Sequence, residues 1–214
     1  MIPARFISIE GGEGCGKSTQ ARMLAQWLEG QGIPVVLTRE PGGTAGAEAI
    51  RQLLLHPPDD QQWYPEAEAL LFAAARSDHV ARVIRPALSS GNWVVVDRFI
   101  DSSITYQGFA RALGVDVVKS LHRIGSGGLL PDRTILLRIA PESARQRLEL
   151  RDRGKADAIG GRSGEYHSRV AEAFARLAES EPARFKTIDA DGDADDVHQR
   201  IVSDIEALFV GPAM

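Results

Sequence analysis

Residues Gly11-Gly12-Glu13-Gly14-Cys15-Gly16-Lys17-Ser18 place a glycine, four residues, then Gly-Lys-Ser, a spacing that lets backbone wrap a polyphosphate with its N–H groups pointing inward. Glycines suit such a loop because a Cβ obstructs the turns it makes. Lys17 supplies a point charge, and Ser18 and Thr19 open a helix whose unpaired N–H groups and positive dipole end face the anion. The flanks agree: Phe6-Ile7-Ser8-Ile9 reads as a short strand, and Leu24, Trp27 and Leu28 recur at helical spacing after the loop. A strand, a glycine-rich loop and a helix in that order predict a parallel sheet with the loop at the carboxyl edge of a strand.

Outward from the loop, short apolar runs at 35–37, 93–96, 133–139 and 185–188 alternate with helical patterns at 47–55, 66–82, 115–124, 141–151, 165–178 and 195–209. Continuous rather than alternating apolar runs suit strands buried on both faces. The pattern predicts an α/β fold, a three-layer α/β/α sandwich around a parallel five-stranded sheet, in one domain spanning 1–214. A net charge of -4 argues against a nucleic-acid partner. The longest apolar run, 69–75, is too short to cross a bilayer, and the N-terminus carries no apolar leader. With one cysteine there is no internal disulfide, and the chain is expected in the cytoplasm. Cys15 lies beside a helix N-terminus and Lys17, which favours its thiolate; a small side chain turned away from the loop fits the same sequence.

Asp97 closes the run Trp93-Val94-Val95-Val96, a position from which a carboxylate reaches Mg2+ beside the Ser18 hydroxyl. Arg98 follows, able to clamp a phosphate through two parallel hydrogen bonds. Arg39-Glu40-Pro41-Gly42-Gly43-Thr44 directly succeeds a predicted strand and so belongs to the ligand edge of the sheet. Residues 152–164 are polar and glycine-rich and contain Arg153 and Arg162, the composition of a mobile lid and equally of an ordinary surface loop. No Asn-Lys-x-Asp element for reading guanine occurs. Arginines near several strand ends suit two separate phosphate groups, which favours a kinase of a phosphorylated small molecule over a nucleotide switch.

Three segments together carry a family resemblance: 9–19, then Thr38-Arg39-Glu40-Pro41-Gly42-Gly43-Thr44, then Asp97-Arg98-Phe99 with Ser102-Ser103-Ile104-Thr105-Tyr106-Gln107-Gly108. In order and spacing the chain resembles the thymidylate kinases, enzymes with the fold of phosphate-loop nucleoside triphosphate hydrolases, over nearly its whole length. The resemblance implies transfer of the γ-phosphoryl of ATP to thymidine monophosphate (dTMP), giving the diphosphate on the route to dTTP, with Mg2+ as cofactor and a homodimer as the assembly. It implies that Gly11, Gly12, Glu13, Gly14, Cys15, Gly16, Lys17, Ser18 and Thr19 hold ATP, with Arg147 against adenine. Lys17, Arg98, Glu13 and Asp97 would be catalytic, and Ser18 and Asp97 the metal ligands. Phe72 would stack on thymine while Arg76, Ser103 and Gln107 read its polar edge. Tyr106 would disfavour ribose, Glu13 would bind the sugar 3′-hydroxyl, and Glu40, Arg51, Arg98 and Arg39 would complete the acceptor site. Because the phosphate loop has no arginine between its glycines, the lid is expected to supply one: Arg153, with Arg151 as the alternate. Where the family often has Asp-Arg-Ile-Glu in the lid, this chain has Asp157-Ala158-Ile159-Gly160, so that either Arg162 compensates or the loss is harmless.

Overall fold

The structure, a computed structural model, describes residues 3–152 and 157–209. Five strands run β1 (Phe6–Gly11), β2 (Val35–Arg39), β3 (Trp93–Asp97), β4 (Arg133–Arg138) and β5 (Phe185–Asp189). They form one parallel sheet in the order β2-β3-β1-β4-β5. Parallel neighbours need crossovers, and helices supply them: α1 (Lys17–Gly30), α2 (Ala45–Leu55), α3 (Pro65–His79), α4 (Arg85–Ser89), α5 (Ile100–Ser103), α6 (Val115–Ser126), α7 (Pro141–Asp152), α8 (Gly164–Ser180) and α9 (Ala194–Ile205).

Period-two alternation splits the central strand between two cores. Ile7 and Ile9 face Leu24, Leu28 and Ile201 of α1 and α9, whereas Phe6 joins Phe99, Ile104 and Phe174 on the opposite face. Ser8 and Glu10 point to that second face too, and are buried there. Ser8 meets the Thr134 hydroxyl at 3.0 Å, Thr134 donates to Asp101, and Arg184 grips both oxygens of Asp101 at 2.6 and 2.8 Å. Buried polar groups are thereby paired, as burial requires. The edge strand β2 departs from the expectation of strands buried on both faces, since it has one neighbour and leaves Leu37 45% exposed.

Two helical stretches differ from the sequence reading. The helix expected at 66–82 runs on to Ser89 through a wider π turn at Val80–Ile84, which accommodates Pro86, a residue with no N–H to give to a regular turn. Residues 100–110, read as no helix, form α5 and a π segment, Ile104–Ala110. Ile100 through Gly108 are all buried, the polar Asp101, Ser102, Ser103, Thr105 and Gln107 included, so polarity along the stretch does not follow a helical period. Inside it the Thr105 hydroxyl donates toward the carbonyls of Asp101 and Ser102 at 3.0 and 2.9 Å, occupying oxygens that the wide winding leaves open.

Candidate active site

The carboxyl ends of β1, β2 and β3 open into one cleft of about 610 Å³. The phosphate loop spans β1 and α1. Gly14 has φ 74°, and a Cβ there would lie 2.7 Å from the Ala144 carbonyl oxygen of α7; at Gly11, φ 142°, it would lie 2.5 Å from that of Leu137. Glycine is therefore required by close backbone approach as well as by the left-handed turn at Gly14. Lys17 folds back over the loop, its ammonium 2.6 Å from the Gly12 carbonyl. Cys15 is 1% exposed, packs into the core with Ile7 and Ile9, and donates its thiol to the Gly12 carbonyl at 3.1 Å. The Lys17 ammonium also donates to the Cys15 sulfur at 3.6 Å, so the buried thiol sits beside that cation.

Beside the loop stands the end of β3. The Ser18 hydroxyl donates to Asp97 Oδ2 in a very short contact. Arg98 adopts a left-handed backbone, φ 68°, which costs a non-glycine residue about 1–2 kcal/mol. Its contacts explain that conformation: one guanidinium nitrogen donates to Gly11 O at 3.1 Å and Ser102 Oγ at 3.0 Å, the other to Glu13 and to Tyr106 at 3.2 Å. Burial opposes the Arg98 charge, but Tyr106, Glu13, Asp97 and Glu10 outweigh it and hold the pKa well above the ordinary value. Burial chiefly raises the Tyr106 phenol as well, so it stays a neutral donor. Beneath this cluster Glu10 accepts from the Phe99 N–H at 2.7 Å and the Ser102 hydroxyl at 2.6 Å. Burial, then the charge of Asp101, pushes its carboxyl up to about 8.

The rest of the cleft is held by a chain of buried partners. Arg76 donates to Glu40 at 2.7 Å and to Ser103 at 2.7 Å; the other oxygen of Glu40 faces His79 Nδ1 at 3.1 Å, and His79 Nε2 faces Thr38 at 2.7 Å. Glu40 thus acts on Arg76 within the protein. Phe72, Gln107 and Tyr106 line the wall nearby. Arg51 donates to the Pro41 carbonyl at 2.8 Å, across a Glu40–Pro41 peptide that is cis. Burial, then the neighbouring Arg39, lowers the Arg51 pKa against the opposing charges of Glu48, Asp157 and Asp97. Arg39 itself pairs with Glu48. Arg147 lines this cleft and an adjoining recess of about 330 Å³, donating to the carbonyls of Ala190 and Gly192.

Arg153 lies outside the described residues, as does the side chain of Arg151. Arg162 goes elsewhere than to a phosphate site: it pairs with Glu68 of α3 and donates to the Tyr166 hydroxyl at 2.7 Å. Asp157 closes a turn by accepting from the N–H groups of Ile159 and Gly160 at 2.9 and 2.8 Å, and Ala158 N–H donates to Leu55 O. Asp157 and Ile159, the two positions that match the family's lid pattern, line the cleft; Ala158 and Gly160 are the two that depart from it. The sequence reading missed Glu68 and His79. The one signal for Glu68 is its place two residues after Glu66 on the helix predicted at 66–82, since two carboxylates at that spacing cannot both face solvent on an amphipathic helix.

A phosphate loop on the middle strand, with a Ser–Asp oxygen pair on one side and a second cationic half-site on the other, defines a phosphate-loop kinase of small phosphorylated acceptors. The family model for thymidylate kinase matches residues 9–201. The thymidylate kinase of Rhizorhabdus wittichii is 53% identical over 97% of this chain and all of its own length, and that of Symbiobacterium thermophilum 48% identical over 95% and 94%. Among solved structures, thymidylate kinase from Ehrlichia chaffeensis matches with a TM-score of 0.77 at 29% identity, covering 95% of this chain and 99% of that one. The chain belongs to the thymidylate kinase family. Its fold is the phosphate-loop kinase fold, and its family reaction is phosphorylation of dTMP by ATP to give dTDP.

Proposed function

We propose that this chain performs that transfer with the phosphate loop and Lys17 on the ATP phosphates, Arg147 against adenine, and Arg98, Arg51 and Arg39 on the acceptor phosphate. The observation that carries the reading is the single cleft that joins the loop to the cationic half-site. Phosphoryl transfer asks a protein mainly for alignment and charge neutralisation. Arg98 meets both demands, because four hydrogen bonds orient its guanidinium. The crowding of Arg51 by Arg39 is relieved when an anionic acceptor arrives. Phe72, Arg76, Ser103 and Gln107 take the base, and Glu13 and Tyr106 the sugar. Glu40 contributes by holding Arg76.

Ser18 and Asp97 fit Mg2+, which prefers hard oxygen donors and keeps several waters; their oxygens converge. Among the described residues no group of three or more His, Cys, Asp or Glu side chains could hold a metal. Bound by Ser18 and Asp97, Mg2+ would neutralise charge on the transferring phosphoryl.

The test is ADP release from ATP and Mg2+ with dTMP, dUMP, dCMP, AMP and GMP as separate acceptors. A response strongest with dTMP and weaker with dUMP supports the assignment; ADP release at an equal rate without acceptor overturns it. For the lid we propose Arg153 as the residue reaching the transferred phosphoryl. Arg153→Ala should then lower kcat by about a thousandfold, the scale of such arginines in other phosphoryl transfers, and Arg162→Ala far less. Equal small losses in single-turnover rate would remove this role.

No helix among the described residues is long and apolar enough to cross a membrane, and we place the protein in the cytoplasm, with ATP and dTMP rather than nucleic acid or membrane as partners. We further propose a homodimer built on α3 and α6, which pack together and leave Leu70 and Ile124 exposed.

A further inference from the structure

We propose that Glu68 is a positioning residue that decides which end of the Gln107 amide meets the acceptor base, and that Arg162 holds Glu68 to this task. The inference rests on the reading of Gln107 as a base-contacting residue and adds what sets its orientation.

Glu68 is 2% exposed, on the side of α3 facing the π segment. Its Oε1 accepts from Gln107 Nε2 at 2.8 Å and from one nitrogen of Arg162 at 3.3 Å, while Oε2 accepts from the other nitrogen of Arg162 and lies 3.9 Å from Arg111. A carboxylate offers acceptors only, so the end of the Gln107 amide turned toward it is the NH2 group. The carbonyl end is left for the cleft that Gln107 lines. An acceptor in that place suits the N3–H of thymine or uracil, and meets only a lone pair at N3 of cytosine. A site built around one hydrogen-bond polarity rejects the opposite one more strongly than a merely apolar wall would.

Arg162 makes this arrangement resistant to reversal. Its guanidinium is fixed over the Tyr166 ring at 4.8 Å and hydrogen-bonded to the Tyr166 hydroxyl. It therefore demands an acceptor from whatever occupies position 68. In a Glu68→Gln variant one oxygen must serve where two did. The cation takes that oxygen, the new amide NH2 faces Gln107, and Gln107 turns over to accept from it. Its own NH2 then enters the cleft, matched to cytosine N3 and mismatched to thymine.

The experiment compares kcat/KM for dTMP and dCMP in the wild type, Glu68→Gln and Gln107→Ala, with thermal melting and ATP binding confirming folded protein. For Glu68→Gln the dTMP preference should fall by about tenfold or more with turnover of dCMP rising in absolute terms, the scale of one hydrogen bond reversed. A structural role alone would lower both acceptors together and leave their ratio intact, and that result overturns the proposal. An unmoved ratio in Gln107→Ala would instead remove the base-contact reading beneath it. Should Glu68→Gln fail to fold, the wild-type Gln107 side-chain NH2 protons decide by NMR. Slow exchange with solvent supports the bond to Glu68, and a freely rotating, fast-exchanging amide overturns it.

Discussion

Arg98 and Glu10 show how much a single position depends on neighbours remote in sequence. The left-handed backbone of Arg98 is stabilised by contacts from Gly11 and Glu13, more than eighty residues earlier. Glu10 in turn fixes the loop after Arg98 by accepting from Phe99 and Ser102. Its carboxyl is raised from 4.5 to about 8, so the folded chain keeps a proton that the unfolded chain releases. The sign follows from linkage: stability is greatest at low pH in this window and falls as pH rises from 4.5 through about 8. Glu10→Gln, permanently neutral, should flatten that fall in thermal midpoint. Equal slopes in the two proteins would show that Glu10 titrates normally.

Elements are positioned here by close backbone approach. The phosphate loop touches α7 where Gly14 meets the Ala144 carbonyl and Leu148, and α7 also carries Arg147. Gly14→Ala should push α7 off the loop and raise the KM for ATP by about tenfold, the order of one disturbed contact, with the KM for dTMP changed much less. A parallel rise in both constants would mean that the loop moves as a unit with the acceptor side. The five strands and the loop were legible in the sequence because their signals are local: a continuous apolar run, a spacing of glycines, a lysine before a serine. The helix at 100–110 was not, because burial on every side erased its period. Glu68 and His79 were not, because their meaning lies in Gln107, Arg162, Glu40 and Thr38, each at least 39 residues away. Nor was the place of Arg162 legible, because composition cannot show its pairing with Glu68, 94 residues away.

For the molecule as a whole, the proposed homodimer has a direct check. Ile124 is 81% exposed on α6, close to where Ser77 of α3 donates to Gly125 O at 2.6 Å. Ile124→Glu should weaken dimerisation by about tenfold or more, since a charge at the buried centre of an interface must be desolvated. Sedimentation velocity across a dilution series reads this, and an unchanged association constant would put the interface elsewhere. The lining of the cleft has a further consequence. The acceptor side of the cleft is lined by residues between Arg39 and Gln107 together with Asp157 and Ile159, and the adjoining recess by the phosphate loop, Arg147 and residues between Ala190 and Val197. The acceptor wall is thus nearly one contiguous stretch of gene, with Asp157 and Ile159 added from outside it. Recombination that exchanged that stretch between related kinases could hand over a new acceptor and leave the donor untouched, provided that position 162 travelled with its partner at 68.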